Sequence, residues 1–188
     1  MTNSIEDVCE QAQVIFLIGS NPEEAHPVMG MRLRRAVERG AKLIVADPRD
    51  IWLAGKADIH LKLRPGTNVA LANGMVNVTI RDGLADRAFV DARTEGFDEL
   101  ASAVADYTPE RVAEICGIDA RDVVAAAKMY ARADRAPIIY CLGVVEHTTG
   151  TESVMALSNL ALVAGKLGRP GCGVNPLRGQ NNVQGACD

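Results

Sequence analysis

At 188 residues the chain is long enough for one α/β domain with a substantial core, or for two small lobes. Its 48% hydrophobic and 23% charged composition, with 17 Gly and 4% aromatics, is that of an ordinary globular chain and excludes a disordered or fibrous one. The 20 Lys and Arg against 24 Asp and Glu give a net charge of -4, which argues against electrostatic capture of nucleic acid or of an anionic membrane.

Apolar runs over Val14–Ile18, Lys42–Ala46, 58–63 and 137–142 are short, rich in Val, Ile and Leu, and bounded by loop residues. That is the pattern of strands buried on both faces of a parallel sheet. Between the first two, Val28, Met29, Leu33, Ala36 and Val37 recur at helical spacing over about 26–39, and Gly40 ends the run, which makes a βαβ unit. A helix is predicted over 69–80, and a helical section over about 89–133. Within that section Thr108 before Pro109 and Glu110 reads as a helix start, because the hydroxyl can cap and proline tolerates the first turn. Asp119 opens the next helix in the same way, with Val123, Ala126, Ala127, Tyr130 and Ala131 on one face.

After the fourth strand, Thr149 and Glu152 have capping-box spacing, and an apolar face runs from Val154 through Leu157, Leu160 and Ala161 to Ala164, ending near Gly165. From 165 to 188, Gly, Asn and Pro are dense and hydrophobic periodicity is lost. This segment reads as a structured loop leading beyond the domain. With no internal repeat and no linker, the expectation is a single unit over 1–188, an α/β, Rossmann-like αβα domain with a mostly parallel sheet and a helical insertion.

The first strand runs into Gly19-Ser20-Asn21-Pro22 and then a helix, the place where a Rossmann-like sheet offers backbone N–H groups to a phosphate. The second ends in Asp47-Pro48-Arg49, where an acid can accept from a ribose and the arginine can face a phosphate or base. A βα turn with a helix cap and a surface ion pair is the alternative for the same residues. The missing GxGxxG weakens an ordinary NAD site and leaves another nucleotide open. Arg64-Pro65-Gly66-Thr67-Asn68 follows the third strand. Asn68 can read a base edge, or Thr67 or Asn68 can simply cap the helix. The fourth strand is followed by Gly143-Val144-Val145-Glu146-His147, so a further loop is expected at the same sheet edge. His147 is a candidate contact for cofactor or substrate, whereas His26 and His60 are read as structural.

Five scattered cysteines without a CxxC pair suggest neither a disulfide framework nor a self-contained metal site. No apolar run approaches the ~20 residues of a membrane span, and MTNSIEDVCEQ lacks the basic flank of an export signal. Direct membrane insertion is therefore not expected, and the default setting is cytoplasmic unless a larger parent is exported. In the tail, Arg178-Gly179-Gln180-Asn181-Asn182 sets a planar cationic fork beside flexible backbone and amides, which suits a small carboxylate as well as a surface loop.

These residues resemble the molybdopterin oxidoreductases, and within them the formate dehydrogenase catalytic subunits. GSNPEEAHP, AKLIVADPR, LRPGTNVALANGM, RTEGF, YTPE, HTTGT and above all GRPGCGVNPLRGQNNVQGACD carry the likeness, end to end and in order. The resemblance implies an αβα domain that holds one of two guanine-dinucleotide pyranopterins chelating molybdenum or tungsten (bis-MGD). It places Gly19, Ser20, Asn21, Asp47, Arg49, Gly66 and Asn68 around the nucleotide end, and Gly143, Glu146 and His147 nearer the pterin. The family often has Gln at the position of Glu146, and an ionised carboxylate there cannot donate a hydrogen bond. Arg178 matches the arginine that holds formate beside the metal, with Gln180 close by.

By the same resemblance the chain is an internal portion of a longer catalytic subunit. The metal-ligating cysteine or selenocysteine, its neighbouring histidine and the ligands of a 4Fe-4S cluster would lie upstream, and none of the cysteines present matches the metal ligand. The implied reaction is two-electron oxidation of formate to CO2 or its reverse, with electron-transfer subunits as partners and no activity in the isolated portion. An NAD-linked dehydrogenase domain and a cofactor-free structural relative within a respiratory complex are the rival readings.

Overall fold

A computed structural model of the chain describes residues 3–180 together with Val183 and Ala186. In chain order the elements are α1 (Ile5–Gln11), β1 (Val14–Ile18), α2 (Pro22–Ala25), α3 (Pro27–Glu38), β2 (Lys42–Ala46), a 3-10 turn (Trp52–Lys56), β3 (Ile59–Leu61) and α4 (Asn68–Arg81). There follow α5 (Arg87–Arg93), α6 (Phe97–Val104), α7 (Pro109–Cys116), α8 (Ala120–Arg132), β4 (Ile138–Tyr140), α9 (Leu142–Val145), α10 (Gly150–Val163) and β5 (Val174–Pro176). The sheet is parallel throughout, in the order β3-β2-β1-β4-β5.

β1 is buried at every position, yet its side chains still alternate. Val14, Phe16 and Ile18 enter one core with Ile44, Ile138, Leu71, Met75, Tyr130 and Leu157, while Ile15 and Leu17 enter the other with Leu33, Leu43, Val45 and Ile139. The pleat sends successive residues to opposite faces, so a central strand with helices on both sides must be apolar on both. The first core packs under α4, α7, α8 and α10, and the second under α1 and α3. The result is a three-layered αβα unit.

The helix punctuation expected in the helical section is realised. Thr108 accepts the Arg111 N–H and Asp119 accepts the Arg121 N–H, capping α7 and α8. Gly40, at φ +102, follows α3, where the Gly40 and Ala41 N–H groups close on the carbonyls of Val37 and Ala36.

Three expectations are corrected. The strands predicted over 58–63 and 137–142 shorten to Ile59–Leu61 and Ile138–Tyr140; at their carboxyl ends the chain turns on itself, Leu63 N–H donating to Leu61 O and Cys141 O accepting the Val144 N–H. The Thr149–Glu152 capping box does not form. Thr149 has no side-chain cap bond, and its carbonyl instead receives both the N–H and the hydroxyl of Ser153. The segment from 165, read as loop, contains β5, which adds a fifth parallel strand on β4. Its brevity, the Gly171 and Gly173 just before it and the Pro176 that ends it hid it from hydrophobic pattern.

Candidate functional site

The strand order reverses direction between β1 and β4, and at such a switch point the connections run on to helices on opposite faces of the sheet, which leaves room for a crevice at the carboxyl edge around the start of the two loops. Gly19, directly after β1, has φ +56; its N–H donates to Ala46 O at 2.9 Å and its carbonyl accepts the Gly143 N–H at 3.1 Å. The two loops touch backbone to backbone. A Cβ on Gly19 would stand 2.6 Å from the Gly143 carbonyl carbon, and one on Gly143 would stand 2.8 Å from Gly19 Cα. Both positions require glycine for that reason, Gly19 also for its φ.

Around this junction lies an open cleft of about 460 Å³. It is lined by the Gly19-Ser20-Asn21 loop after β1, Asp47 to Arg49 after β2, Leu63 to Gly66 with Asn68 after β3, and Cys141 to Gly143 with Glu146 and His147 after β4. Every residue expected around the nucleotide and the pterin is therefore on one surface. Asp47 is buried, and its carboxylate accepts the Arg49 backbone N–H at 3.0 Å, Arg49 Nε at 2.9 Å and the guanidinium nitrogen at 3.0 Å. The Asp47 bond raises the Arg49 guanidinium above its ordinary value, and that side chain stays 60% exposed. The ion pair weighed at the sequence level is thus present inside the cleft wall. His60 bonds the Asp47 carbonyl at 3.0 Å and steadies the loop from β3.

Gly66, at φ +84, turns the chain into α4. Neither Thr67 nor Asn68 caps that helix through its side chain. Thr67 Oγ1 donates to Arg64 O at 2.7 Å, and Asn68 Nδ2 donates across to Gly143 O at 3.1 Å. The His147 ring bonds the same carbonyl at 3.0 Å. Asn68 and His147 thus fix the Gly143 loop while lining the cleft. The Glu146 side chain is exposed and has no protein partner among the described residues.

Ser20 is the informative residue for a ligand. It is 3% exposed, lines the cleft, and its Oγ has no hydrogen-bond partner among the described residues. A buried hydroxyl without a partner costs free energy, so a ligand that supplies one is favoured there. The 14-residue helix α4 also begins at the cleft with its positive end. Together with the glycine junction, these features fit an extended phosphate-bearing cofactor with a polar heterocycle.

Arg178 and Gln180 lie elsewhere. They are exposed at the end of β5 and line a separate hollow of about 360 Å³ with Ile5, His26, Pro27, Val28 and Met29. The two linings share no residue, because β5 lies beyond β4. Asn181 and Asn182 fall outside the described residues, as does Cys187. No group of three or more His, Cys, Asp or Glu among the described residues is placed to hold a metal ion. The described cysteines are free and buried; burial pushes the Cys9 thiol up to about 11 and raises that of Cys116. No helix among the described residues is long and apolar enough to cross a membrane.

Sequence reasoning missed Cys141 as a cleft residue, and it read His26 as structural, as its bond to the Arg178 carbonyl makes it, without a signal for that partner. Cys141 had a signal, since it directly follows β4 at the ligand-facing edge.

The three-layered αβα unit carries a glycine-cradled cleft at its switch point, the place where open parallel α/β sheets receive ligands. A molybdopterin oxidoreductase model matches residues 1–188, and the chain belongs to that family. Among curated relatives it is 53% identical over 188 residues to the F420-dependent formate dehydrogenase subunit alpha of Methanocaldococcus jannaschii, covering 28% of that protein. It is 46% identical over the same length to formate dehydrogenase H of Escherichia coli, covering 26%. Acetylene hydratase from Pelobacter acetylenicus superposes with a TM-score of 0.80 at 36% identity, over 87% of this chain and 22% of that one. The chain thus spans about a quarter of the length of these relatives.

Proposed function

We propose that residues 1–188 form the dinucleotide-binding αβα portion of a formate dehydrogenase catalytic subunit, holding one pyranopterin guanine dinucleotide of a bis-MGD centre with molybdenum or tungsten. The observation that carries this reading is the convergence of the loops after β1, β2, β3 and β4 on one cleft, with the unpartnered Ser20 hydroxyl in its wall. The names of the relatives favour formate over the substrate of the structural neighbour.

In this reading Ser20 donates to the phosphate or pterin, and Gly19 and Gly143 let backbone approach it without a side chain between. The Asp47–Arg49 pair presents a carboxylate edge to the ribose and a guanidinium face to the base. Asn21, Gly66 and Asn68 complete the nucleotide end. Nearer the pterin, Glu146 as a carboxylate accepts from ring N–H groups where a glutamine could also donate, and the His147 nitrogen not bonded to Gly143 faces the same region. When bound, the metal centre supplies the two-electron chemistry that interconverts formate and CO2. Arg178 pairs its planar fork with the carboxylate of formate and orients it, with the Gln180 amide beside it. The rest of the catalytic subunit, a 4Fe-4S cluster and electron-transfer subunits complete this reading.

In the full-length enzyme, Arg178→Ala is expected to lower kcat/KM for formate by about a hundredfold or more with metal and pterin content near wild type. Unchanged formate kinetics in that variant remove the role assigned to Arg178. Full-length protein purified without metal or pterin points instead to the cofactor-free relative.

A further inference from the structure

Arg178 is exposed in its side chain and anchored through the backbone of its segment. Leu177 N–H donates to Tyr140 O at 2.8 Å, which extends the β4–β5 ladder by one bond. The Cys141 thiol donates to Leu177 O at 2.9 Å. One residue further on, the ladder has ended, and the Arg178 carbonyl is met by His26 Nε2 at 2.7 Å. A carbonyl can only accept, so the imidazole donates through Nε2–H.

The histidine is well mounted for this. It stands at the corner between α2 and α3, where its N–H bonds Pro22 O and its carbonyl accepts the Gly30 N–H, both at 2.9 Å. The corner is closely packed, because a Cβ on Gly30 would stand 2.9 Å from Glu23 Cα. Pro27 further restricts the His26 backbone. The other ring nitrogen, Nδ1, is buried without a partner among the described residues, so the bond to Arg178 O is the ring's polar attachment there.

We infer that His26 is the positioning residue of the Arg178 loop: it fixes the backbone from which the guanidinium projects, through a bond that bridges 152 residues of chain. The kinetic consequence rests on the reading of Arg178 as the formate-binding residue, and the anchoring itself does not. His26 does not line the cofactor cleft, whereas it shares a hollow with Arg178 and Gln180. The loop after β1 and the loop after β5 are thereby held in register from opposite sides of β4, His26 through α3 and Cys141 through the end of β4 itself.

The test uses the full-length holoenzyme and the variants His26→Leu, His26→Gln and His26→Asn. The Gln amide reaches about as far as Nε2, whereas the Asn amide stops one methylene short. His26→Leu and His26→Asn are expected to raise the formate KM by about fivefold or more, to leave metal and pterin content near wild type, and to speed tryptic cleavage at the Arg178–Gly179 bond several-fold. His26→Gln should restore both readouts towards wild type. If His26→Leu does not yield folded protein, the comparison of Gln with Asn carries the test. Wild-type cleavage at Arg178 in the Leu and Asn variants overturns the inference, as does a Gln variant no better than Asn. Faster cleavage in those variants, with formate kinetics unchanged both there and in Arg178→Ala, sustains the anchor and removes only the formate role of Arg178.

Discussion

Ser20 is the single residue whose surroundings most favour a bound ligand. Its hydroxyl is buried, unpartnered among the described residues and placed in a cleft wall, so it costs the ligand-free fold a little free energy and, in the function proposed above, would be satisfied by the cofactor. Ser20→Ala is therefore expected to leave the stability of the ligand-free protein unchanged or slightly raised. The full-length protein should then lose pterin roughly tenfold faster on gel filtration, as befits one hydrogen bond to a charged or strongly polar acceptor. Pterin retention equal to wild type would sink the assignment. Ser20 was legible in sequence as the residue after a strand-ending glycine, but its lack of a partner was not. Asp47 and Arg49 were legible as a pair, and whether they bond each other or a ligand depends on side-chain geometry that spacing does not set. Here they bond each other and remain at the cleft.

Among the elements, two threonines with the same apparent role separate. Thr108 and Thr149 each precede a helix, but only Thr108 turns its oxygen onto the first turn, with its extended backbone at φ -64 and ψ 153. Thr149 sits at φ -105 and ψ 29, which aims the side chain elsewhere. Thr108→Ala should cost about 1 kcal/mol locally, seen as roughly fivefold faster amide exchange in the first turn of α7. Thr149→Ala should leave the first turn of α10 unaffected. Equal effects in the two variants would mean that the cap geometry does not govern these helix ends. The capping rule read the residue types correctly, while the backbone entering each helix, set by how α9 and α6 deliver the chain, decided which threonine caps.

For the molecule as a whole, the core under α4, α8 and α10 closes on Tyr130, which is fully buried and meets Phe16 edge to face with ring centroids 6.2 Å apart. Its hydroxyl has no partner among the described residues, and burial pushes the phenol well above its ordinary range. Tyr130→Phe keeps the ring contact and removes the desolvated hydroxyl, so the urea-unfolding free energy should stay equal or rise by about 1 kcal/mol. A loss of more than about 1 kcal/mol would establish that the hydroxyl is satisfied after all.

Hydrophobic period, glycine and caps act over a few residues, so the alternation of strands and helices, the two-sided burial of the sheet and the loops that gather at its carboxyl edge were legible in the chain alone. The fifth strand, the backbone contact of Gly19 with Gly143, the unpartnered Ser20 and the hold of His26 on Arg178 emerge only once the chain is folded. Each depends on residues far apart in the chain, which strand order and packing bring together or keep apart, not on any local pattern.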